Sequence, residues 1–275
     1  MEEFCMKIED KLSLFHNHPA ISWHEHVAGF NNGFNVDYAK VESTLEIMEI
    51  LGIDKSVTSV PYTAGPCTPD IFKGYNDMTA EVMRRYPDKF IGMCYVDPGF
   101  TKEALYEVER CVKELGFKGG VKLYHQYTMD DPVQYPLVEK CIELDIPITM
   151  HSCKLMDPVK KRVQPKATNG VHMANIARVY PEATFVMAHI GGGGDWRWSI
   201  RAIKDTPNVI TDVGGSVHDV PMIEEVVSLL GADRIVFAAD GSWSSAVGKM
   251  LGAEISEEDK LTILSGKALA RFLER

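Results

Sequence analysis

Two short histidine pairs, His16-Asn17-His18 and His24-Glu25-His26, stand near the start of a chain that carries 9 histidines. An H-x-H pair on a β-strand points both imidazoles to one side, because strand side chains alternate with period two. Further along, His151, His189 and Asp240 each follow a short apolar run, at 146–150, 184–188 and 234–239. Two imidazoles from one strand, a third from another and a carboxylate form a nitrogen and oxygen donor set. Zn2+ suits it best, with Mn2+, Fe2+ or Co2+ as alternatives. Such an ion polarises a substrate oxygen and lowers the pKa of bound water towards ~7. His16 and His18 are the expected pair, since they follow the apolar stretch Leu12-Ser13-Leu14-Phe15 and Pro19 stops it. Trp23, His24 and His26 then fall in the loop beyond, placed to touch substrate. The second pair stays open as the alternative ligand pair.

Positioning these residues takes a scaffold that brings strand ends together. Eight β-rich runs recur at 12–16, 55–60, 90–96, 120–124, 146–150, 184–188, 208–213 and 234–239. Most are continuously apolar, as expected of strands buried on both faces in a parallel sheet. Helical stripes separate them, such as Leu105, Val108, Val112 and Leu115, or Met222, Ile223, Val226, Val227 and Leu230. Gly52, Gly116 and Gly231 follow helical patterns as left-handed caps, and Ser256 with Asp259 resembles a capping box. Eight βα units in 275 residues average about 34 residues each, the size of a (β/α)8 TIM barrel. A doubly wound open sheet would show a glycine-rich phosphate loop after its first strand, and none is there. The fold expected is therefore α/β, a (β/α)8 barrel over a single domain, 1–275. Its active site would lie where the histidines fall, at the C-terminal ends of the strands.

With those residues in place, the chain resembles the metal-dependent amidohydrolase superfamily, in its compact branch without an added β-sandwich. That branch also holds aminocarboxymuconate-semialdehyde decarboxylase and related nonoxidative decarboxylases. The matching pieces run in the family's order. They are His16-Asn17-His18-Pro19, Leu51-Gly52-Ile53-Asp54-Lys55, Gly120-Val121-Lys122-Leu123, Ile148-Thr149-Met150-His151, Ala188-His189-Ile190-Gly191-Gly192 and the stretch from Gly231 to Asp240. The resemblance implies His16, His18, His151 and Asp240 around a single metal ion, with His189 beside it as acid/base or electrophilic group. Asp240 would also accept the proton of the bound water. The chain departs from the family at Leu14, Ala239 and Lys267-Ala268. Lys122 stands where some relatives carry a carboxylated lysine, and reads here as a structural or substrate-side cation.

Hydrolysis of an amide, ester or lactone is the expected reaction, on a small carboxylate-bearing substrate. The alternative is metal-dependent nonoxidative decarboxylation, a carbon–carbon lyase. A non-catalytic barrel would have lost a ligand, whereas each position is filled. The connection from Lys154 to Asn169 carries Lys154, Lys160, Lys161, Arg162 and Lys166, and could cover a carboxylate. Arg197, after the glycines 191–194, is a candidate clamp for one. The remaining charge argues against other partners. With 29 Lys+Arg against 39 Asp+Glu, the net charge of −10 opposes nucleic-acid binding. No apolar run has the length of a membrane span, and no signal peptide is visible. Six cysteines without a CxxC pair suggest reduced thiols and a cytoplasmic protein. The resemblance adds a homo-oligomer as the expected assembly.

Overall fold

Short apolar runs become parallel strands in a computed structural model of the chain, which describes residues 12–29, 34–62, 66–153, 162, 164–192, 196–215 and 217–274. The strands are β1 Ile21–Glu25, β2 Lys55–Thr58, β3 Phe90–Gly92, β4 Cys94–Tyr95, β5 Val121–Leu123, β6 Ile148–Met150, β7 Phe185–Met187, β8 Val209–Asp212 and β9 Ile235–Val236. Here β3 and β4 are halves of one barrel strand interrupted at Met93, whose N–H donates to Thr58 O at 2.8 Å. Neighbouring strands pair in parallel from β1 to β3 and from β4 to β9. The ring closes where Trp23 N donates to Phe237 O and Asp240 N donates to His24 O, each at 2.9 Å. The expected (β/α)8 barrel is thus the observed fold.

Helices α1 Tyr38–Leu51, α2 Pro69–Arg85, α3 Thr101–Lys113, α4 Tyr135–Glu143, α5 Gly170–Val179, α6 Trp196–Ile203, α7 Met222–Leu230, α8 Trp243–Gly252 and α9 Glu257–Leu264 return the chain between strands. Local chemistry marks their ends. Asp37 Oδ1 accepts from Lys40 N at the start of α1, and Gly52 closes it at φ 73°. The Ser256 hydroxyl accepts from Asp259 N to open α9, as the capping pattern implies. Among the described residues no helix is long and apolar enough to cross a membrane. The five described cysteines are free thiols.

One expected strand is corrected. Residues 12–16 are helical, with Asn17 N donating to Ser13 O at 2.9 Å. Phe15 buries itself edge-on against Phe237 at 5.6 Å between centroids, while His16 stays exposed. A five-residue apolar stretch carries too little periodicity to separate helix from strand. The first barrel strand is β1, and it carries the other histidine pair.

Strand β1 also holds an irregularity that matters for chemistry. Its register runs Ser22↔Ser56 and then Glu25↔Thr58, so one extra residue is inserted between Ser22 and Glu25. A bulge breaks strict alternation and re-aims a side chain. Trp23 therefore packs inside the barrel with Val57, Met93, Val186, Ile210 and Val236, while its neighbour His24 also faces inward, toward Lys122 and Asp212. Leu269 and Phe272, past the last helix, join Trp23 and close this apolar layer. The polar layer sits nearer the strand C-termini, since Asp212 follows Ile210 by two residues on β8.

Gly266 makes that apolar floor possible. It sits at φ 66°, and a Cβ there would come within 1.8 Å of Trp23 Nε1. Gly266→Ala is expected to destabilise the protein by about 2–4 kcal/mol through overpacking and backbone strain. Urea unfolding midpoints check this, and an unchanged midpoint would contradict the packing described.

Candidate active site

Asp212, at the end of β8, is fully buried and ties the site together. Its Oδ2 lies 3.1 Å from His24 Nδ1, and its Oδ1 accepts from His189 N at 3.0 Å and Gly214 N at 2.8 Å. A carboxylate at Nδ1 assigns the Nδ1–H tautomer to His24, which leaves Nε2 as an acceptor facing inward. Lys122 Nζ donates to that Nε2 at 2.8 Å. His26 is oriented the same way, since Ser59 O receives its Nδ1–H at 3.0 Å. Both Nε2 atoms then face Asp240 Oδ1, at 3.6 Å from His24 and 3.3 Å from His26.

The opposite side of Asp240 meets the strand-end histidines. His189 Nδ1 sits 3.3 Å from Asp240 Oδ2 but is not aligned for a hydrogen bond, and it is buried without a partner among the described residues. His189 Nε2 pairs with His151 Nδ1 at 3.2 Å. The Tyr124 ring stacks on His151 with centroids 4.1 Å apart and planes 16° from parallel. Donor atoms of His24, His189 and Asp240 lie within 4.8 Å of one another. Backbone strain concentrates here as well: His189, Ile190 and Asp240 adopt positive φ of 63°, 55° and 47°. Non-glycine residues hold such angles only where the surrounding structure over-determines them, commonly at functional sites.

Burial sets the charge states. It pushes His24 down to about 4, with Lys122 adding to the effect against the pull of Asp240 and Asp212. His151 falls well below the usual histidine range through burial, His189 and Lys122, and His189 is lowered by burial despite its two carboxylate neighbours. Lys122 is pushed down to about 8 by burial, partly offset by Asp240 and Asp212. Burial opposes ionisation of Asp240, yet His24, His189 and His26 hold it well below the ordinary carboxylate range. At neutral pH His24, His151 and His189 are neutral imidazoles beside an ionised Asp240 carboxylate. Imidazole lone pairs that are fixed from behind and face a carboxylate are a metal-ligand geometry, and the buried His189 Nδ1 is left for an incoming partner.

The structure gathers His24, His26, Lys122, His151, His189 and Asp240 from the expected residues, and leaves others out. His16 lies outside the barrel with its Nε2 3.1 Å from Ile50 O, and His18 follows it near α8 and α9. Trp23, expected to meet substrate, is instead 3% exposed in the apolar floor, because the β1 bulge turns it inward. Arg197 on α6 is half-exposed and forms two 2.7 Å bonds to Glu225 on α7, so it is no clamp at the barrel mouth. Of the basic connection, Lys154, Lys160 and Lys161 lie outside the described residues, Arg162 is exposed, and Lys166 covers the Tyr127 ring at 4.2 Å. Asp212 and Tyr124 were not anticipated. Asp212 had a legible signal, a carboxylate closing an apolar run just as Asp240 does.

Comparison with known proteins places this geometry among relatives. A family model described as amidohydrolase matches residues 61–260. A gamma-resorcylate decarboxylase of Polaromonas sp. is 27% identical over 245 residues, covering 72% of this chain and 74% of the relative. A 2-keto-4-carboxy-3-hexenedioate hydratase of Sphingobium sp. is 27% identical over 153 residues, 47% of this chain, and the match spans only 43% of the relative's length. The solved structure of a dihydroxybenzoic acid decarboxylase from Polaromonas sp. JS666, with bound manganese and 2-nitroresorcinol, superposes with a TM-score of 0.71 at 22% identity, over 94% of this chain and 98% of that one. These findings overturn the expectation of hydrolysis, because the relatives are named as decarboxylases and a hydratase.

Asp212 generates an acid-stability prediction. Burial would raise its pKa, but the hydrogen bond from His24 and the charges of His24 and His189 hold it at about 2, below 3.8. A depressed carboxylate adds stability above about pH 4 and loses it as pH falls through about 2; a shift of this size corresponds to about 2 kcal/mol. Asp212→Asn should lower the unfolding free energy at pH 7 and flatten its decline between about pH 4 and 2. Urea titrations of chelator-treated protein across that range measure both, and an unaltered acid limb would mean another group carries it.

Proposed function

Because the chain belongs to the amidohydrolase family, we propose that it is a metal-dependent nonoxidative decarboxylase, a carbon–carbon lyase for a small carboxylate-bearing molecule. The observation that carries this reading is the buried His151–His189 pair beside Asp240, with Lys122 inside the same ring. Its likeness to the gamma-resorcylate decarboxylase over 72% of the chain supports it.

His26 would offer Nε2, His24 would offer its Nε2 in exchange for the hydrogen bond from Lys122 Nζ, His151 would add a third nitrogen, and Asp240 would supply the carboxylate for one divalent ion. The set accepts Mn2+, Zn2+, Fe2+ or Co2+, and the manganese in the dihydroxybenzoic acid decarboxylase favours Mn2+ alongside Zn2+. When bound, the ion supplies Lewis acidity toward a substrate oxygen. Asp212 and Ser59 O fix the two imidazoles of β1, so the donors are preorganised. His189 is the proton carrier. With His151 Nδ1–H directed at His189 Nε2, the His189 proton resides on Nδ1, the atom nearest Asp240. As the bond to the carboxylate carbon breaks, CO2 leaves and the bonding electron pair stays on the substrate carbon, which takes the Nδ1 proton of His189; water returns a proton to the imidazole, so that it ends neutral, and the hydroxide left over takes up the CO2 as bicarbonate. Lys122, fully buried, supplies countercharge to the anionic substrate.

Protein purified without chelators should hold about one divalent ion per chain. His24→Ala should lose it, whereas His16→Ala should keep it; elemental analysis by mass spectrometry separates the two. His189→Asn should retain the metal and lose about 10²–10⁴-fold in turnover. Hydroxybenzoate and muconate-type acids are the panel for CO2 release. Chelator-insensitive turnover, or water addition to an unsaturated keto acid with no CO2 release from the panel, would overturn the decarboxylase reading.

A further inference from the structure

Lys249 reaches from α8 toward the back of the site, although nothing in its sequence context marks it for chemistry. Its ammonium is largely buried and donates to three successive carbonyls, Val213 O at 2.5 Å, Gly214 O at 3.2 Å and Gly215 O at 3.2 Å. Burial pushes the group down to about 8 against the pull of Asp212 and Asp240, so the carbonyls are its compensation for leaving water. The turn it grips directly follows Asp212, and Gly214 N donates to Asp212 Oδ1. On its other side the turn touches His189. Gly215 sits at φ 74°, and a Cβ there would stand 2.9 Å from His189 Nδ1 and 3.1 Å from its Cγ. Gly192 faces the same side chain, where a Cβ would stand 3.1 Å from His189 Cβ. The Gly215 backbone lies against the imidazole and Gly192 against the Cβ of the same side chain, and the wall on the imidazole is anchored by Lys249.

We propose that Lys249 is a positioning residue for His189: its ammonium gathers the carbonyls of residues 213–215 into a fixed wall that sets the direction of the imidazole. The role of His189 as proton carrier belongs to the decarboxylase reading, on which this inference rests. A primary ammonium suits the task because its three N–H groups can meet three carbonyls converging from one turn. Remote groups act on rate in this manner when a small misplacement of the reacting group removes the productive geometry.

The test uses the full chain with Lys249→Met, Lys249→Arg and Gly215→Ala, the last moving the wall from the His189 side with Lys249 intact. Histidine-selective 15N spectra of the metal-free protein, with the His189 signal assigned by His189→Asn, report the imidazole without recourse to turnover. Lys249→Met and Gly215→Ala are expected to shift the His189 signals while leaving those of His16 and His18 in place. In the metal-loaded protein both should lower kcat by about 10-fold or more at unchanged KM and metal content, with Lys249→Arg recovering part of the loss. A lysine that only supports the fold would lower the melting temperature and leave the His189 signals and kcat in place, which would overturn the proposal. So would kcat falling only in step with lost metal. Should Lys249→Met fail to fold, Gly215→Ala decides by the same readouts. If wild-type protein released no CO2, the decarboxylase reading would fall, while the His189 spectra would still judge the wall.

Discussion

A carboxylate with no access to water needs hydrogen bonds to both of its oxygens, and Asp212 meets that demand with groups from three different places. Its partners are an imidazole from the first strand, the backbone of His189 after the seventh barrel strand's neighbour β7, and the turn that follows β8 itself. Charge-assisted hydrogen bonds of this kind are stronger than neutral ones and fix direction as well as distance. The tautomer of His24, the seat of His189 and the shape of the 213–215 turn all follow from satisfying one buried charge. A metal site assembled on this arrangement inherits its order from behind, where no substrate or ion reaches.

The layering of the barrel explains why that charge can be buried. Trp23, Val57, Met93, Val186, Ile210 and Val236 fill the interior below the polar ring, and Leu269 with Phe272 seals it. Water is thereby excluded from one side, and the depressed basicity of His24, His151 and Lys122 is the electrostatic result. Low dielectric strengthens the remaining interactions within the ring.

Much of this was legible in the chain before any coordinates. Continuous apolar runs located the strands from β2 to β9, and His151, His189 and Asp240 fell at strand ends as the barrel requires. The first strand was missed because Leu12-Ser13-Leu14-Phe15 is as apolar as a strand, yet its Phe15 answers to a helix packing against Phe237. With that run in a helix, the barrel strand that carries an H-x-H pair is β1, with His24 and His26, and His16 falls outside the barrel. Trp23 was misplaced for a different reason: a one-residue bulge is invisible to period-two reasoning, and it alone puts two consecutive side chains on the same face. Arg197 looked like a substrate clamp until Glu225, 28 residues on, proved to be its partner. Lys249 has no local signature at all, since its purpose exists only once α8 lies against the 213–215 turn.

The barrel seam gives the cluster a second meaning. Strand β1 and the segment after β9 are joined by Trp23 N to Phe237 O, Asp240 N to His24 O and Ala239 N to Ser22 Oγ. His24, His26 and Asp240 stand on that same join, from residues more than 200 positions apart in the chain. Bringing such distant segments together carries a large loop-closure entropy, and the backbone bond from Asp240 N to His24 O, made between two residues of the cluster, helps to hold the ends shut. The site is therefore a clasp: whatever loosens His24 from Asp240 also loosens the circle, so local opening of the fold and loss of the reacting geometry would begin at the same place.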